Sequence, residues 1–156
     1  MKMRFGHLWL LFVFLFLISC GGFFERPKLS RQEYIQVFFP ELEGKSGYKL
    51  DYLFKSSVGG YGTFALVQGD PELNKQIIKL KAVDIEPYQE DSNISELLQL
   101  NINGYFSKKK PNWLQFDRDG QYQLFEKQDG DTYTSIFASS DFKKLYFIRS
   151  GKSLKK

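Results

Sequence analysis

The chain has 156 residues, with 22 Lys and Arg against 18 Asp and Glu, and it contains one cysteine and one histidine. This length suits one domain with a core of its own. A single cysteine excludes an internal disulfide, and because the only histidine is His7, near the N-terminus, the remainder of the chain cannot use Ser-His-Asp or Cys-His catalysis or an ordinary zinc site.

The first 19 residues have the pattern of a secretory signal peptide. Lys2 and Arg4 form a basic start, and an uncharged apolar run extends from Leu8 to Ile18. This run is too short to span a bilayer, which takes about 20 apolar residues. We therefore expect residues 1–19 to be removed on export. The remaining chain has 20 basic residues against 18 acidic ones, a balance that gives no argument for nucleic-acid binding.

The end of the apolar run, Leu17-Ile18-Ser19-Cys20, resembles the lipobox of bacterial lipoproteins. In that family the chain is cut before the cysteine, which carries a thioether-linked diacylglycerol and an acylated amine. The resemblance implies a membrane partner reached through lipid on Cys20. The residues themselves predict no other cofactor and no metal. Several acyl chains hold a protein stably where one does not. The alternatives are a cleaved signal with Cys20 as a free thiol, or an uncleaved anchor.

Residues 20–29 are predicted to be a lipidated tether. From Cys20 to Ser30 it reaches at most about 35 Å, so the domain should lie close to the membrane. Phe23 and Phe24 could enter the membrane interface or pack on the domain. In well-studied lipoproteins an Asp after the cysteine retains the protein in the inner membrane, and Gly21 stands there instead. The resemblance thus favours the outer membrane, facing the periplasm.

The chain from Ser30 to Gln68 predicts one helix and one hairpin. Ser30 and Glu33 form a capping box for a helix over 31–38. Alternating apolar residues predict a half-buried strand over 48–55, and a glycine-rich turn separates it from a second strand over 63–68. The turn lacks the Gly-Lys-Ser/Thr of a phosphate-binding loop.

Two further helices are predicted before residue 105. Asp70-Pro71 begins the first, which carries Leu73, Ile77 and Leu80 and ends near Lys81. A short strand is expected over 83–85. Asn93 then caps a helix that ends at Asn103-Gly104, with an apolar stripe of Ile94, Leu97, Leu98, Ile102 and Tyr105.

From Trp113 onward the apolar period changes to two. Strands are predicted over 113–116, 122–127, 133–138 and 144–150, giving a meander of three or four antiparallel strands. The fold class is therefore α+β, with hairpin and meander in an antiparallel sheet packed against two or three short helices in one domain over 30–150. Residues 151–156 form a basic tail. The arrangement loosely resembles small envelope lipoproteins of unassigned function, and this resemblance supplies no active site.

The best acidic cluster is Asp117, Asp119, Asp129 and Asp131. Asp117-Arg118-Asp119-Gly120 is a fragment of a calcium-loop pattern that lacks the third aspartate and the closing glutamate. Successive turns of a meander lie at opposite ends of a strand, so the two halves should be roughly 20 Å apart. Turn aspartates that accept local backbone amides explain these residues better than a metal site.

Lys108, Lys109 and Lys110 form the densest charge run. They could contact anionic headgroups or an acidic envelope polymer, at about 1 kcal/mol per well-placed lysine. A solvated loop is the interpretation that the sequence favours.

Three classes of function compete. The sequence favours a non-catalytic, membrane-anchored binding module that contacts an envelope protein or polymer through an edge strand or the lysine run. The alternative is an inhibitor or immunity-type lipoprotein that blocks an envelope enzyme or toxin. The third is a carboxylate-dependent glycan hydrolase, which would need two acids about 5 to 10 Å apart, and no spacing here points to such a pair.

Overall fold

The computed structural model describes residues 29–57, 59–81, 93–106, 109–152 and 154. These residues form an α+β domain, as predicted. Its elements are α1 (Arg31–Phe38), a 3-10 turn (Pro40–Leu42), β1 (Lys49–Ser57), β2 (Gly60–Gln68), α2 (Pro71–Lys81), α3 (Ile94–Tyr105), β3 (Tyr122–Asp129), β4 (Thr132–Ser139) and β5 (Lys144–Gly151).

All five strands join one antiparallel sheet in the order β1-β2-β5-β4-β3. The predicted hairpin is present, with Ser57 paired to Gly60 across its turn. The meander is also present, and β5 returns beside β2, where Phe64 pairs with Ile148. Strands β1 and β3 are therefore the two edges of the sheet.

The helices cover both sides of the sheet. One side, the α1/α2 face, packs against α1, the 3-10 turn and α2, and the other, the α3 face, packs against α3 and the segment that follows it. This three-layer arrangement explains why the central strands β2, β4 and β5 are buried over most of their length. The predicted alternation of β1 is confirmed, because Leu50, Tyr52 and Phe54 pack on the α1/α2 face.

Helix α1 begins as its sequence predicts. The Ser30 hydroxyl accepts from the Glu33 amide at 3.3 Å, and the Ser30 amide donates to the Glu33 carboxylate at 2.8 Å. Its buried side carries Tyr34, Ile35 and Phe38. The Tyr34 ring stacks on Tyr52 of β1 at 3.9 Å between centroids, which fixes the helix on the edge of the sheet.

Helix α2 buries a different stripe from the one its leucines suggest. Leu80 is 61% exposed, whereas Asn74 is fully buried along with Ile77. The Asn74 amide donates to the Phe142 carbonyl at 2.6 Å in the β4–β5 turn, where Phe142 has a φ of 56°. A bulky residue at positive φ is strained, so this bond stabilises a turn that the local sequence disfavours.

The predicted strand over 113–116 is wrong. Trp113 and Leu114 are neighbours in the chain, yet both pack on the α3 face with Phe116. A strand would send Trp113 and Leu114 to opposite faces. The segment instead makes local turn bonds, such as Leu114 amide to Pro111 carbonyl at 3.0 Å.

The apolar stripe predicted for α3 is confirmed, since all five of its residues belong to the core of the α3 face. The helix continues through Gly104 to Tyr105, and Asn93 caps its start by accepting from the Glu96 amide at 3.3 Å. Strand β5 includes Gly151, and Leu154 in the predicted tail packs against the α1/α2 core. The signal peptide, Cys20, the tether before Leu29, the strand over 83–85 and Lys108 lie outside the described residues.

Candidate functional site

A strip of polar side chains crosses the α3 face of the sheet near the C-terminal end of β5. We call it the polar strip and define it as Lys55, Glu126, Gln128, Tyr133, Ser135 and Ser150. The register brings these residues together. Ser150 pairs with both Gly62 and Tyr133, and the row continues to Lys55 on β1 and to Gln128 on β3. Glu126 and Ser135 face each other two residues away on the same face, because side chains alternate along a strand.

Parts of the strip are exposed to solvent, whereas α3 covers the neighbouring part of the same face. Helix α3 ends at Tyr105, whose hydroxyl would lie 3.2 Å from a Cβ at Gly62, so the helix covers the centre of the sheet at this level. Beyond it, Lys55, Gln128 and Ser150 are exposed and Tyr133 is 42% exposed. A patch of hydroxyl, amide, carboxylate and aromatic groups is therefore accessible to a ligand.

Glu126 is held in place within the strip. Its Oε1 accepts from the Tyr133 hydroxyl and from the Ser135 hydroxyl, the latter at 3.2 Å. Burial and the bond to this carboxylate raise the pKa of Tyr133, so its hydroxyl stays a donor at neutral pH. The other carboxylate oxygen has no donor among the residues described here, and it remains free to accept from a ligand.

A groove of about 550 Å³ adjoins the strip. It lies between the β1–β2 turn, the end of β5 and the β3–β4 turn, and its lining includes Lys55, Ser57, Ser150, Lys152 and Asp131. Its glycines are explained by packing. A Cβ at Gly60, which has a φ of +149°, would lie 2.5 Å from the Gly151 carbonyl oxygen. The structure thus agrees with a tight hairpin rather than a phosphate-binding loop at this position.

The lysine run follows α3. Lys109 and Lys110 are exposed and make no ion pair within the described part of the chain. Lys55 of the polar strip donates to the Tyr105 carbonyl at 2.9 Å, at the C-terminal end of α3, where a cation is favoured by the helix dipole. In the sequence the run therefore follows the end of α3 that adjoins the strip.

The acidic cluster is divided, as the sequence predicted. Asp117 and Asp119 precede β3, whereas Asp129 is its last residue and Asp131 follows it. Asp117 Oδ1 accepts from the Asp119 amide at 3.1 Å, and Asp131 Oδ2 lies 3.3 Å from Lys152 Nζ. Within the described ranges, no group of three or more His, Cys, Asp or Glu could hold a metal ion.

One charged pair was not anticipated from the sequence. Lys81 Nζ lies 2.9 Å from Glu41 Oε1, and their side chains are only 13% and 11% exposed. Burial lowers the pKa of Lys81, against the effect of Glu41, and the charge of Arg149 lowers it further. Lys81 also lies 5.0 Å from the Phe39 ring centroid. The pair joins the end of α2 to the 3-10 turn. Its partners are 40 positions apart in the chain, so no local sequence pattern predicts it.

No family model, curated protein or solved structure matches this chain. Among the residues whose structure is described, no helix is both long enough and apolar enough to cross a membrane.

Proposed function

We propose that this protein is a lipid-anchored, non-catalytic binding module of the bacterial cell envelope. The observation that carries the proposal is the sequence Leu17-Ile18-Ser19-Cys20 at the end of an apolar leader, ten residues before the capping box of a folded domain. Lipid on Cys20 would hold the domain at the outer membrane, facing the periplasm.

The start of the domain supports this arrangement. The Leu29 carbonyl accepts from the Tyr52 hydroxyl at 2.8 Å, and the Leu29 side chain packs on the core. The chain is therefore fixed to the sheet from Leu29 onward, so that the eight residues 21–28 between Cys20 and Leu29 set the distance to the membrane.

The polar strip, the adjoining groove and the exposed Lys109 and Lys110 support a binding role for the domain. The strip and the groove offer donors, acceptors and the charge of Lys55 and Lys152 in one region of the surface, and the two lysines of the run are exposed. The strip contains one carboxylate, Glu126, whereas glycoside hydrolysis needs two acids placed about the scissile bond. Binding of an envelope protein or polymer therefore fits this surface better than turnover.

The anchor is tested with Cys20→Ala in the native host, with Gly21→Ala as a control that keeps the cysteine. We expect the wild-type chain and the control to incorporate labelled fatty acid and to sediment with membranes. The Cys20→Ala variant should lose the label and the membrane association. A variant that still sediments with membranes and resists carbonate extraction would contradict the lipoprotein assignment.

The binding role is tested by capture of partners from the native envelope. The variant Lys109→Glu/Lys110→Glu should lose a stoichiometric partner that contacts the lysine run. The control Lys143→Glu/Lys144→Glu makes the same charge change at the opposite end of β5. Equal capture by wild type and both variants would remove the lysine run from the interface, and turnover abolished by one Asp or Glu substitution would refute a non-catalytic role.

A further inference from the structure

We propose that the polar strip binds an uncharged oligosaccharide chain lying across the strands; this names the ligand class for the proposed binding module and rests on that function. On this face an exposed aromatic ring, an amide and the Ser150 hydroxyl lie beside a carboxylate that the Tyr133 hydroxyl and the buried Ser135 hydroxyl hold in place.

The chemistry of these groups matches a polyhydroxylated ligand. Each sugar hydroxyl is both a donor and an acceptor, and the strip offers acceptors at Glu126, donors at Lys55, and groups of both kinds at Gln128 and Ser150. The ring of Tyr133 can stack on the apolar C–H face of a sugar, while its hydroxyl is occupied by Glu126. A carboxylate held ready to accept forms hydrogen bonds roughly twice as strong as those of neutral groups.

The same groups argue against other ligands. An anionic headgroup or phosphate would meet the charge of Glu126 and a single cation, Lys55, within the strip. A lipid or an apolar peptide side chain would find polar groups at five of the six positions. The lysines that could attract anions, Lys109 and Lys110, lie outside the strip.

The dimensions indicate a chain rather than a single sugar. Tyr105 lies over Gly62, between Lys55 and Ser150, so the open part of the strip runs from Ser150 on β5 to Gln128 on β3. It crosses two strand spacings, which is about 10 Å at about 4.8 Å each. Its end on β3 is a sheet edge, so a long ligand can continue past β3.

The experiment titrates the full-length chain, extracted in a nonionic detergent, with a panel of neutral oligosaccharides. The panel runs from disaccharides to hexasaccharides built from hexoses and from N-acetylated amino sugars, with a sulfated oligosaccharide and inorganic phosphate as anionic probes. Saturable binding of a neutral member, stronger for hexasaccharide than for disaccharide, is the expected result.

Three variants and one control locate the site. Tyr133→Ala and Glu126→Gln should each weaken binding at least tenfold. Tyr133→Phe keeps the ring but frees the carboxylate, so its loss should be smaller than that of Tyr133→Ala. Glu72→Gln, on the exposed surface of α2, should bind as wild type. Circular dichroism and a thermal melt of each variant separate lost binding from lost folding.

Several results would overturn the inference. These are no saturable binding of any neutral member at millimolar concentration, equal binding by wild type and the strip variants, and preference for the sulfated probe or phosphate. Failure here, combined with capture of an envelope protein by the same preparation, would leave the binding module intact and refute only the oligosaccharide. Conversely, loss of the lipid-anchor result would not alter these titrations, since they are made in detergent.

Discussion

Two hydrogen bonds in series fix α1 to the sheet. Removing the hydroxyl at the end of this series should cost less unfolding free energy than removing the hydroxyl in its middle. Tyr34 is fully buried, with its hydroxyl 2.5 Å from Thr63 Oγ1, which in turn donates to the Leu53 carbonyl at 2.9 Å. Because the Thr63 proton is used in the second bond, Tyr34 must be the donor in the first. Tyr34→Phe therefore removes one hydrogen bond and leaves Thr63 with its donor satisfied, at a cost of about 1 kcal/mol of unfolding free energy.

Thr63→Val keeps the shape but strands the Tyr34 hydroxyl in the core, and it removes the bond to Leu53. Leaving a buried donor without a partner costs about 1 to 3 kcal/mol in addition to about 1 kcal/mol for the lost bond, so we expect about 2 to 4 kcal/mol in total. In the double variant Tyr34→Phe/Thr63→Val no hydroxyl is stranded. Its cost should fall below the sum of the two single costs by about 1 kcal/mol.

Urea unfolding of the chain from residue 21 onward measures these costs, with Trp113 as the sole tryptophan after removal of the leader. Val37→Ala is the control, since Val37 is 40% exposed on the same helix and should change the unfolding free energy by less than about 0.5 kcal/mol. If Thr63→Val costs no more than Tyr34→Phe, or if the two costs simply add, the hydrogen-bond chain is not what holds α1.

Three further predictions concern stability. Gly60→Ala should cost more than about 3 kcal/mol of unfolding free energy, because the new Cβ would lie 2.5 Å from the Gly151 carbonyl oxygen. Gly104→Ala, which has open space on α3, should instead stabilise the protein by about 0.5 to 1 kcal/mol. Equal melting temperatures for the two variants would contradict both expectations. Glu41→Gln leaves the buried Lys81 without its charge partner, which should cost about 3 kcal/mol of unfolding free energy, and adding Lys81→Met should recover most of this loss. If urea unfolding gives a cost below about 1 kcal/mol for Glu41→Gln alone, the pair is dispensable. Burial raises the pKa of several tyrosines, so the folded state holds their protons more tightly than the unfolded state does. The resulting stabilisation is fully present below the unfolded pKa of about 10 and is lost as pH rises through the folded pKa values. The lowered pKa of Lys81 has the opposite effect on stability. The urea midpoint should therefore fall as pH rises above about 10, and a midpoint that stays constant to about pH 12 would refute this expectation. The tyrosines with a raised pKa are Tyr34, Tyr52, Tyr105, Tyr122, Tyr133 and Tyr146.

Elements specified by neighbouring residues could be predicted from the sequence. The Ser30 capping box, the alternation of β1 and the stripe of α3 each depend on residues within a turn or two, and the structure contains all three. The prediction of a strand over 113–116 was wrong because it relied on local composition alone. Its aromatic composition suits a strand, but tertiary packing places adjacent side chains on one face.

Long-range features could not be predicted. The pairing of β5 with β2 joins residues 76 to 90 positions apart, from Gln68 with Lys144 to Tyr61 with Gly151, and it decides that hairpin and meander form one sheet. Asn74 reaches Phe142 across 68 positions of the chain, and Lys81 reaches Glu41 across 40. Each depends on where α2 crosses the sheet, which no local pattern specifies.

The candidate site was found only in part. The lysine run is a composition signal, and the structure describes Lys109 and Lys110 as exposed. The polar strip was missed, although a faint signal exists: Glu126 and Gln128, like Tyr133 and Ser135, repeat at a period of two. Their meeting depends on the register of β3 with β4 and of β4 with β5, and a shift of one residue would send each set to the other face.

The position of the tether bears on how the strip would be presented. Leu29 is bonded to Tyr52 on β1, so the N-terminal segment leaves the domain beside that edge of the sheet. Strand β3 is the opposite edge, four strand spacings or about 19 Å away. If lipid on Cys20 holds the β1 edge toward the membrane, Glu126 and Gln128 on β3 lie on the side turned to the periplasm. An envelope polymer could then reach the strip from β3 without approaching the lipid, which is the geometry that a tethered binding module requires.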